Sequence, residues 1–233
     1  GPTLGFGEIS SEYAPSYAAV AIGTTGTTGA SKEVLLASTA LISSAKASNK
    51  FLGAQSGDTW SLLLPLTHIA AVNVIIRSKE LGTTPIDLRD FDGEYPNANY
   101  TAIVPTQLFR ALNGDQRLLS HLKSTKAVLV GGAALSQTLR NQAELAGIKV
   151  ITTYGMTETC GGCVYDGTAL ESVEIEIRNG KICIKVPVLA SSIPLIDGWF
   201  ETNDLGEFNN DQLVLIGRSD DVIISGGENI SLN

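Results

Sequence analysis

The chain has 233 residues, 43% hydrophobic and 17% charged, with a formal net charge of -8 at pH 7. That length and apolar content can bury one sizeable core, while the acidic balance excludes a broad nucleic-acid face, which relies on clustered Lys and Arg. No apolar run reaches the length of a membrane span and no secretory signal is visible, so a cytoplasmic protein is expected.

The chain begins Gly1-Pro2, which reads as the scar of a cleaved tag on an expressed fragment. "YAAVAIG" (residues 17–23) reads as a short buried strand, and it delivers the chain to a run of threonines and glycines. That run (Thr24, Thr25, Gly26, Thr27, Thr28, Gly29) ends shortly before Lys32. It is not the phosphate loop G-x-x-x-x-G-K-[ST]. Backbone N–H groups freed by glycine, threonine hydroxyls and a lysine still suit an anion, and a helix is expected to follow, because Val34, Leu35, Leu41, Ile42, Ala45 and Leu52 recur at helical spacing. A flexible Gly/Thr linker is the alternative.

Alternation continues with strands at "WSLLLPL", "TTPIDL", "YTAIVP", "KAVLVGG" and "KVITTYG", and with helices at "IAAVNVIIRSKEL", "TQLFRAL" and "SQTLRNQAELAG", the last capped by Ser136. Repeated strand and helix predict an α/β layered, mostly parallel sheet over about residues 17–168, with ligands at the carboxyl ends of its strands. From about 170 to 216 the pattern turns antiparallel, because "VEIEIRNGKICIKV" alternates with period two around Asn179-Gly180. The acidic, turn-rich stretch 89–100 is the most loop-like connection. Three cysteines, an odd number, fit a reduced compartment better than a disulfide framework. "CGGC" (160–163) could be a redox pair or half a zinc site, but neither the thioredoxin context nor further ligands are evident.

Four stretches in order, "TTGTTGASKEV" (24–34), "TYGMTETCGGCVYDG" (153–167), "GWFETNDLGEF" (198–208) and "GRSDDVIISGGENI" (217–230), resemble the adenylate-forming superfamily of acyl-CoA synthetases, luciferase and adenylation domains. The resemblance runs from about Val20 onward and implies the AMP-binding large domain (about 1–216), then a hinge motif (217–233). It implies that Thr24, Thr25, Gly26, Thr27, Thr28, Gly29 and Lys32 clasp the β- and γ-phosphates of ATP. It places Tyr154 and Gly155 at adenine, Thr157 at the α-phosphate and Glu158 on Mg²⁺. Gly131, Gly132 and Ala133 match a wall of the adenine and acyl pockets; Asp204 matches the ribose acceptor, Arg218 an arginine near ribose and phosphates, and Asp220 the hinge. The residue types suit the chemistry, since a carboxylate attacking a phosphorus of ATP needs donors, cations and a metal to offset repulsion.

A finer resemblance, carried by "LPLTHIAAVNVIIRS", "IVPTQLFRAL", "VLVGGAAL" and "TTYGMTETCGGCVYDG", is to the o-succinylbenzoyl-CoA synthetases of menaquinone biosynthesis in their actinobacterial form. It implies o-succinylbenzoate as the acid, ATP and CoA as co-substrates, and the CGGC segment, with Gly161 and Gly162, in the acyl pocket. His68 then gates that pocket and Arg77 pairs with a substrate carboxylate; an ordinary core histidine and a helix-end cap are the respective alternatives. Another aryl or acyl acid, or a non-catalytic nucleotide-binding remnant of the fold, are the rival functions, and homo-oligomerisation stays open.

Two departures qualify the resemblance. Ser31-Lys32-Glu33 stands where the family has Pro-Lys-Gly, which sets a carboxylate beside the lysine and is expected to weaken triphosphate binding. The phosphate loop also lies close to the first residue and the sequence given stops at Asn233, just past the hinge, so a body lacking its C-terminal lid, able to bind adenylate but slow to make it, is expected.

Overall fold

The structure is a computed structural model; it describes residues 2–25, 31–186, 189–190, 193–219, 222–225 and 228–231. β1 (Leu4–Phe6) runs parallel to β2 (Ala18–Thr25), and β3 (Ser31–Ala37) returns antiparallel to β2. The expected helix therefore starts later than its apolar spacing suggests. Val34 and Leu36 are fully buried at a spacing of two, the period of a strand with one face on the core. The first helix, α1 (Ser38–Leu52), begins after them and stops at Gly53, whose left-handed φ of 64° turns its N–H back onto Asn49 and Lys50. Thr24 and Thr25 of the Thr/Gly run thus end β2, and the next described element is a strand, not a helix N-terminus.

Next come β4 (Trp60–Leu62), α2 (Ile69–Glu80), β5 (Ile86–Asp87), β6 (Tyr100–Ile103), α3 (Pro105–Leu112), α4 (Gln116–Ser124), β7 (Ala127–Val130), α5 (Gln137–Leu145) and β8 (Val150–Met156). Ser136 caps α5 as the sequence predicts, its hydroxyl accepting from Leu139 N at 3.2 Å. The sequence reading did not foresee α4, although Asp115 caps it in the same manner, accepting from Leu118 N at 3.0 Å.

The chain then turns through a short 3-10 segment (Thr157–Thr159) into β9 (Gly161–Tyr165) and β10 (Thr168–Ala169). The resulting seven-stranded sheet has the order β10-β9-β8-β7-β6-β4-β5. Strands β5, β4, β6, β7 and β8 pair in parallel; β9 and β10 add an antiparallel edge. Alternate residues of the parallel strands feed two cores: Tyr100, Ala102 and Leu129 pack with Ala71 and Val74 of α2, whereas Ile103, Val128 and Val130 pack with Leu108, Leu122 and Ala143 of α3, α4 and α5. This is the expected α/β layering, with both faces of a parallel sheet covered by helices.

A second sheet is antiparallel throughout: β11 (Glu174–Arg178), β12 (Lys181–Lys185), β13 (Phe200–Asn209) and β14 (Gln212–Arg218). Its first hairpin turns at Asn179 and Gly180 with φ of 51° and 80°, the left-handed pair that the Asn-Gly signal demands. Ile182, Ile184, Val186 and Leu213 of this region pack on Cys163 and Val164, which joins the sheets through β9. β15 (Val222–Ser225) and β16 (Glu228–Ser231) form a further antiparallel pair. Among the described residues no helix is long and apolar enough to cross a membrane.

Candidate active site

A cavity of about 1010 Å³ opens at the carboxyl ends of β4, β6, β7 and β8. Its walls gather residues from distant parts of the sequence: Thr24 and Lys32 from the first hairpin, His68 and Arg77 from α2, and Gly131 and Gly132 after β7. Gly155, Thr157 and Glu158 come from the end of β8, Gly161 and Gly162 from β9, and Arg218 from β14. Ala133 is exposed and does not reach the cavity wall. Gly26, Thr27, Thr28, Gly29 and Asp220 lie outside the described residues, as does the side chain of Thr25.

At the mouth, Lys32 Nζ stands 3.4 Å from Glu158 Oε1, and the Thr24 hydroxyl donates to Lys32 O at 3.0 Å. Alternation along β3 sends the neighbouring Glu33 to the other side. There its Oε1 accepts from Ser10 N at 2.6 Å, Ser10 Oγ at 2.8 Å and Ser11 N at 3.0 Å. Hydrogen bonds from Ser11, then Ser10, lower its pKa from 4.5 to about 2. The carboxylate expected beside the lysine is thus held by Ser10 and Ser11 of the N-terminal segment. The same segment brings Gly7 and Glu8 to the cavity, a contribution with no motif to announce it.

Beside the mouth, the Tyr154 hydroxyl donates to Asp204 Oδ2 at 2.9 Å and Arg218 Nη1 donates to Asp204 Oδ1 at 3.3 Å. Tyr154 and Asp204 are not on the cavity wall itself; Arg218 links them to it. Burial first, and then the Asp204 charge, push the Tyr154 phenol far above its ordinary value, so it stays a neutral donor. Asp204 sits within β13, opposite Arg218 of β14, with a side chain only 14% exposed. Strand pairing therefore fixes the carboxylate, which retains lone pairs for further donors.

At the floor, Arg77 is 3% exposed in the last turn of α2. Its Nη2 donates to the Tyr165 hydroxyl at 2.9 Å, Tyr165 and Ser48 share a bond of 2.8 Å, and the guanidinium lies 5.0 Å from the centre of the Trp60 ring. Its Nε has no hydrogen-bond partner, and among the described residues no carboxylate pairs with it. A buried, uncompensated cation facing a cavity is costly unless an anion arrives. His68 is exposed and stands at the N-cap of α2, which removes the core-histidine alternative.

The CGGC segment divides by residue. Gly161 and Gly162 face the cavity, but Cys160 packs with Val34, Leu41 and Ile69, and Cys163 with Ile184 and Val186. Burial drives both thiols up to about 12, so neither is poised for redox or metal chemistry. Glycine is required at two neighbouring positions. Gly155 has φ of 158° and a Cβ there would run into Gly161 O, while Gly161 has φ of 94° and its Cβ would run into the Asn73 amide. Among the described residues no cluster of three His, Cys, Asp or Glu could hold a metal unaided. A lone Glu158 fits Mg²⁺ that arrives with phosphates, since that ion is commonly held by one or two carboxylates, substrate phosphates and water.

Asn73 and Tyr165 also line the cavity and were not singled out from the sequence. The signal for Asn73 is a lone amide within the apolar stretch of α2, four residues before Arg77.

The family model described as AMP-binding enzyme matches residues 8–193. A Mycobacterium tuberculosis (strain CDC 1551 / Oshkosh) protein named probable 2-succinylbenzoate--CoA ligase is 37% identical, over 90% of this chain and 60% of its own length. Two solved structures of the o-succinylbenzoate coenzyme A synthetase of Bacillus subtilis are also similar. The complex with ATP and magnesium ion superposes with a TM-score of 0.79 at 27% identity, covering 92% of this chain and 53% of that one. The complex with the acyl-adenylate intermediate OSB-AMP gives a TM-score of 0.79 at 28% identity, covering 92% and 52%. The chain thus spans between about half and three fifths of the length of these relatives.

Proposed function

We propose that this chain, which belongs to the AMP-binding enzyme family, holds the adenylate site of an ATP-dependent acid-thiol ligase whose acid is o-succinylbenzoate. The observation that carries the reading is the pairing of Arg77, an uncompensated cation on the cavity floor, with a ring of anion donors and acceptors at the mouth. A monocarboxylic acid would leave Arg77 without a counter-charge once its one carboxylate is spent on adenylation. A dicarboxylic acid satisfies both ends, and o-succinylbenzoate is the dicarboxylic acid named in the relatives.

In this mechanism Asp204, held by Tyr154 and Arg218, accepts hydrogen bonds from the ribose hydroxyls, which fixes the nucleotide. Lys32 and Thr24 bind the outer phosphates, and Thr157 donates to the α-phosphate. Mg²⁺ bound with ATP supplies charge neutralisation at the phosphates, and Glu158 is the carboxylate that would hold it. Gly131, Gly132, Gly161 and Gly162 leave flat walls against which adenine and the aryl ring can lie. Arg77 takes the distal carboxylate bidentately, so the other carboxylate meets the α-phosphorus in line. Its oxygen forms the new P–O bond as pyrophosphate leaves. CoA thiol then attacks the acyl carbon and AMP departs. His68, exposed at the head of α2, stands where the reacting end of the acid would enter.

The test is retention of preformed o-succinylbenzoyl-adenylate and of AMP by the same chain, measured by equilibrium dialysis. The adenylate held at least tenfold tighter than AMP, about 1.4 kcal/mol, is the expected outcome. Equal retention of the two would withdraw the acid, and retention of neither would withdraw the site.

A further inference from the structure

Asn73 is fully buried in the middle of α2, one turn before Arg77. Its Nδ2 donates to Cys160 O at 2.6 Å. The same carbonyl accepts from Ser44 Oγ of α1 at 3.2 Å. Cys160 is the residue at which the chain reverses from the Thr157–Thr159 segment into β9; its φ is 56°, unusual for a residue with a side chain, and its N–H returns to Thr157 O at 3.0 Å. The reversal is further tied by the Thr159 hydroxyl, which accepts from Met156 N at 2.9 Å and donates to Gly161 O at 2.8 Å.

A left-handed non-glycine turn persists only where its surroundings over-determine it. Here the two donors on Cys160 O supply that constraint, one from α2, which also lines the cavity, and one from α1. On one side of the turn stand Thr157 and Glu158; on the other stand Gly161 and Gly162. Gly161 can approach only because it lacks the Cβ that would strike the Asn73 amide.

We propose that Asn73 is a positioning residue: by holding the Cys160 carbonyl it sets Thr157 and Glu158 at the distance from α2 at which the phosphate and acyl ends of one ligand are both engaged. The role rests on the function proposed above. In this role Asn73 acts on the phosphates through the Cys160 turn. Loss of its donor lets the turn relax, so that Thr157 and Glu158 drift from the phosphates, while the adenosine contacts through Asp204 and Arg218 stay in place on another sheet.

The experiment titrates the wild-type chain, Asn73→Ala and Ser44→Ala with Mg·ATP and, separately, with adenosine, which has no phosphate for Thr157 and Glu158 to hold. Asn73→Ala is expected to weaken Mg·ATP about tenfold, the worth of one hydrogen bond, and adenosine less than twofold. Ser44→Ala is expected to show the same selectivity at about threefold. Equal losses for both ligands would mean a merely structural role and overturn the assignment, as would unchanged Mg·ATP binding. Should Asn73→Ala lose both ligands by failing to fold, Ser44→Ala decides: a selective loss supports the assignment and a parallel or absent loss overturns it. A wild type that binds neither ligand would overturn the site reading and this assignment with it.

Discussion

Lys32 Nζ lies 3.4 Å from Glu158 Oε1, a contact across 126 positions on the wall of the cavity. The lysine side chain is 52% exposed and the glutamate 18%, so as a stabilising interaction the pair is worth at most about 1 kcal/mol. On the proposed reading a triphosphate draws Lys32 away, which frees Glu158 for the metal. Glu158→Gln is therefore expected to shift the urea midpoint little and to weaken Mg·ATP about tenfold while sparing adenosine. A large stability loss with unaltered Mg·ATP affinity would make the pair a structural brace.

Arg77 predicts an opposition between stability and binding. Replacing a buried cation that lacks a carboxylate partner by an apolar chain of similar length removes a desolvation cost. Arg77→Met is expected to unfold at the same or higher urea concentration, as is common when a functional group is removed from a site. A loss of more than about 2 kcal/mol would mean that Tyr165 and Trp60 fully compensate the charge.

Glu33 sets an acid limit. Its folded pKa of about 2 lies below the ordinary 4.5, so its contribution is present above pH 4.5 and is lost as pH falls from there towards 2. Unfolding curves of the wild type and Glu33→Gln should differ by a constant amount above pH 5, draw together below it and converge only as pH reaches about 2. A gap that widens on acidification would contradict the hydrogen bonds to Ser10 and Ser11.

The thiols of Cys160 and Cys163, raised to about 12 by burial, should resist alkylation by iodoacetamide at pH 8 and react only after denaturation. Rapid native-state labelling of either would reopen the redox reading of the CGGC segment.

Periodicity made the α/β layering legible, because parallel strands such as "AVLV" are apolar throughout and the helices between them carry stripes and caps. It failed at residues 31–37, where Val34 and Leu35 fit a helical stripe as well as a strand and only pairing with β2 decides. It also passed over α4, a helix of 9 residues capped by Asp115. At the site, the ordered motifs led to Thr157, Glu158 and Arg218, which line one cavity, and to Asp204, which Arg218 links to it. They gave no hint that Glu33 would be turned away by Ser10, because that depends on which face of β3 meets the N-terminal segment. Asn73 was hidden for a similar reason: a buried amide gains meaning only from the carbonyl opposite, and Cys160 lies 87 positions away.

The central claim, a cavity that reads both the adenylate and a second carboxylate, is tested most directly by calorimetry on two chains and two ligands. The wild type and Arg77→Ala are titrated with non-hydrolysable o-succinylbenzoyl- and benzoyl-adenylate analogues. The account predicts that the wild type prefers the succinylbenzoyl compound by about 10- to 100-fold and that Arg77→Ala erases the preference by weakening that ligand alone. Equal affinity of the wild type for both analogues, or a preference that survives Arg77→Ala, would contradict it.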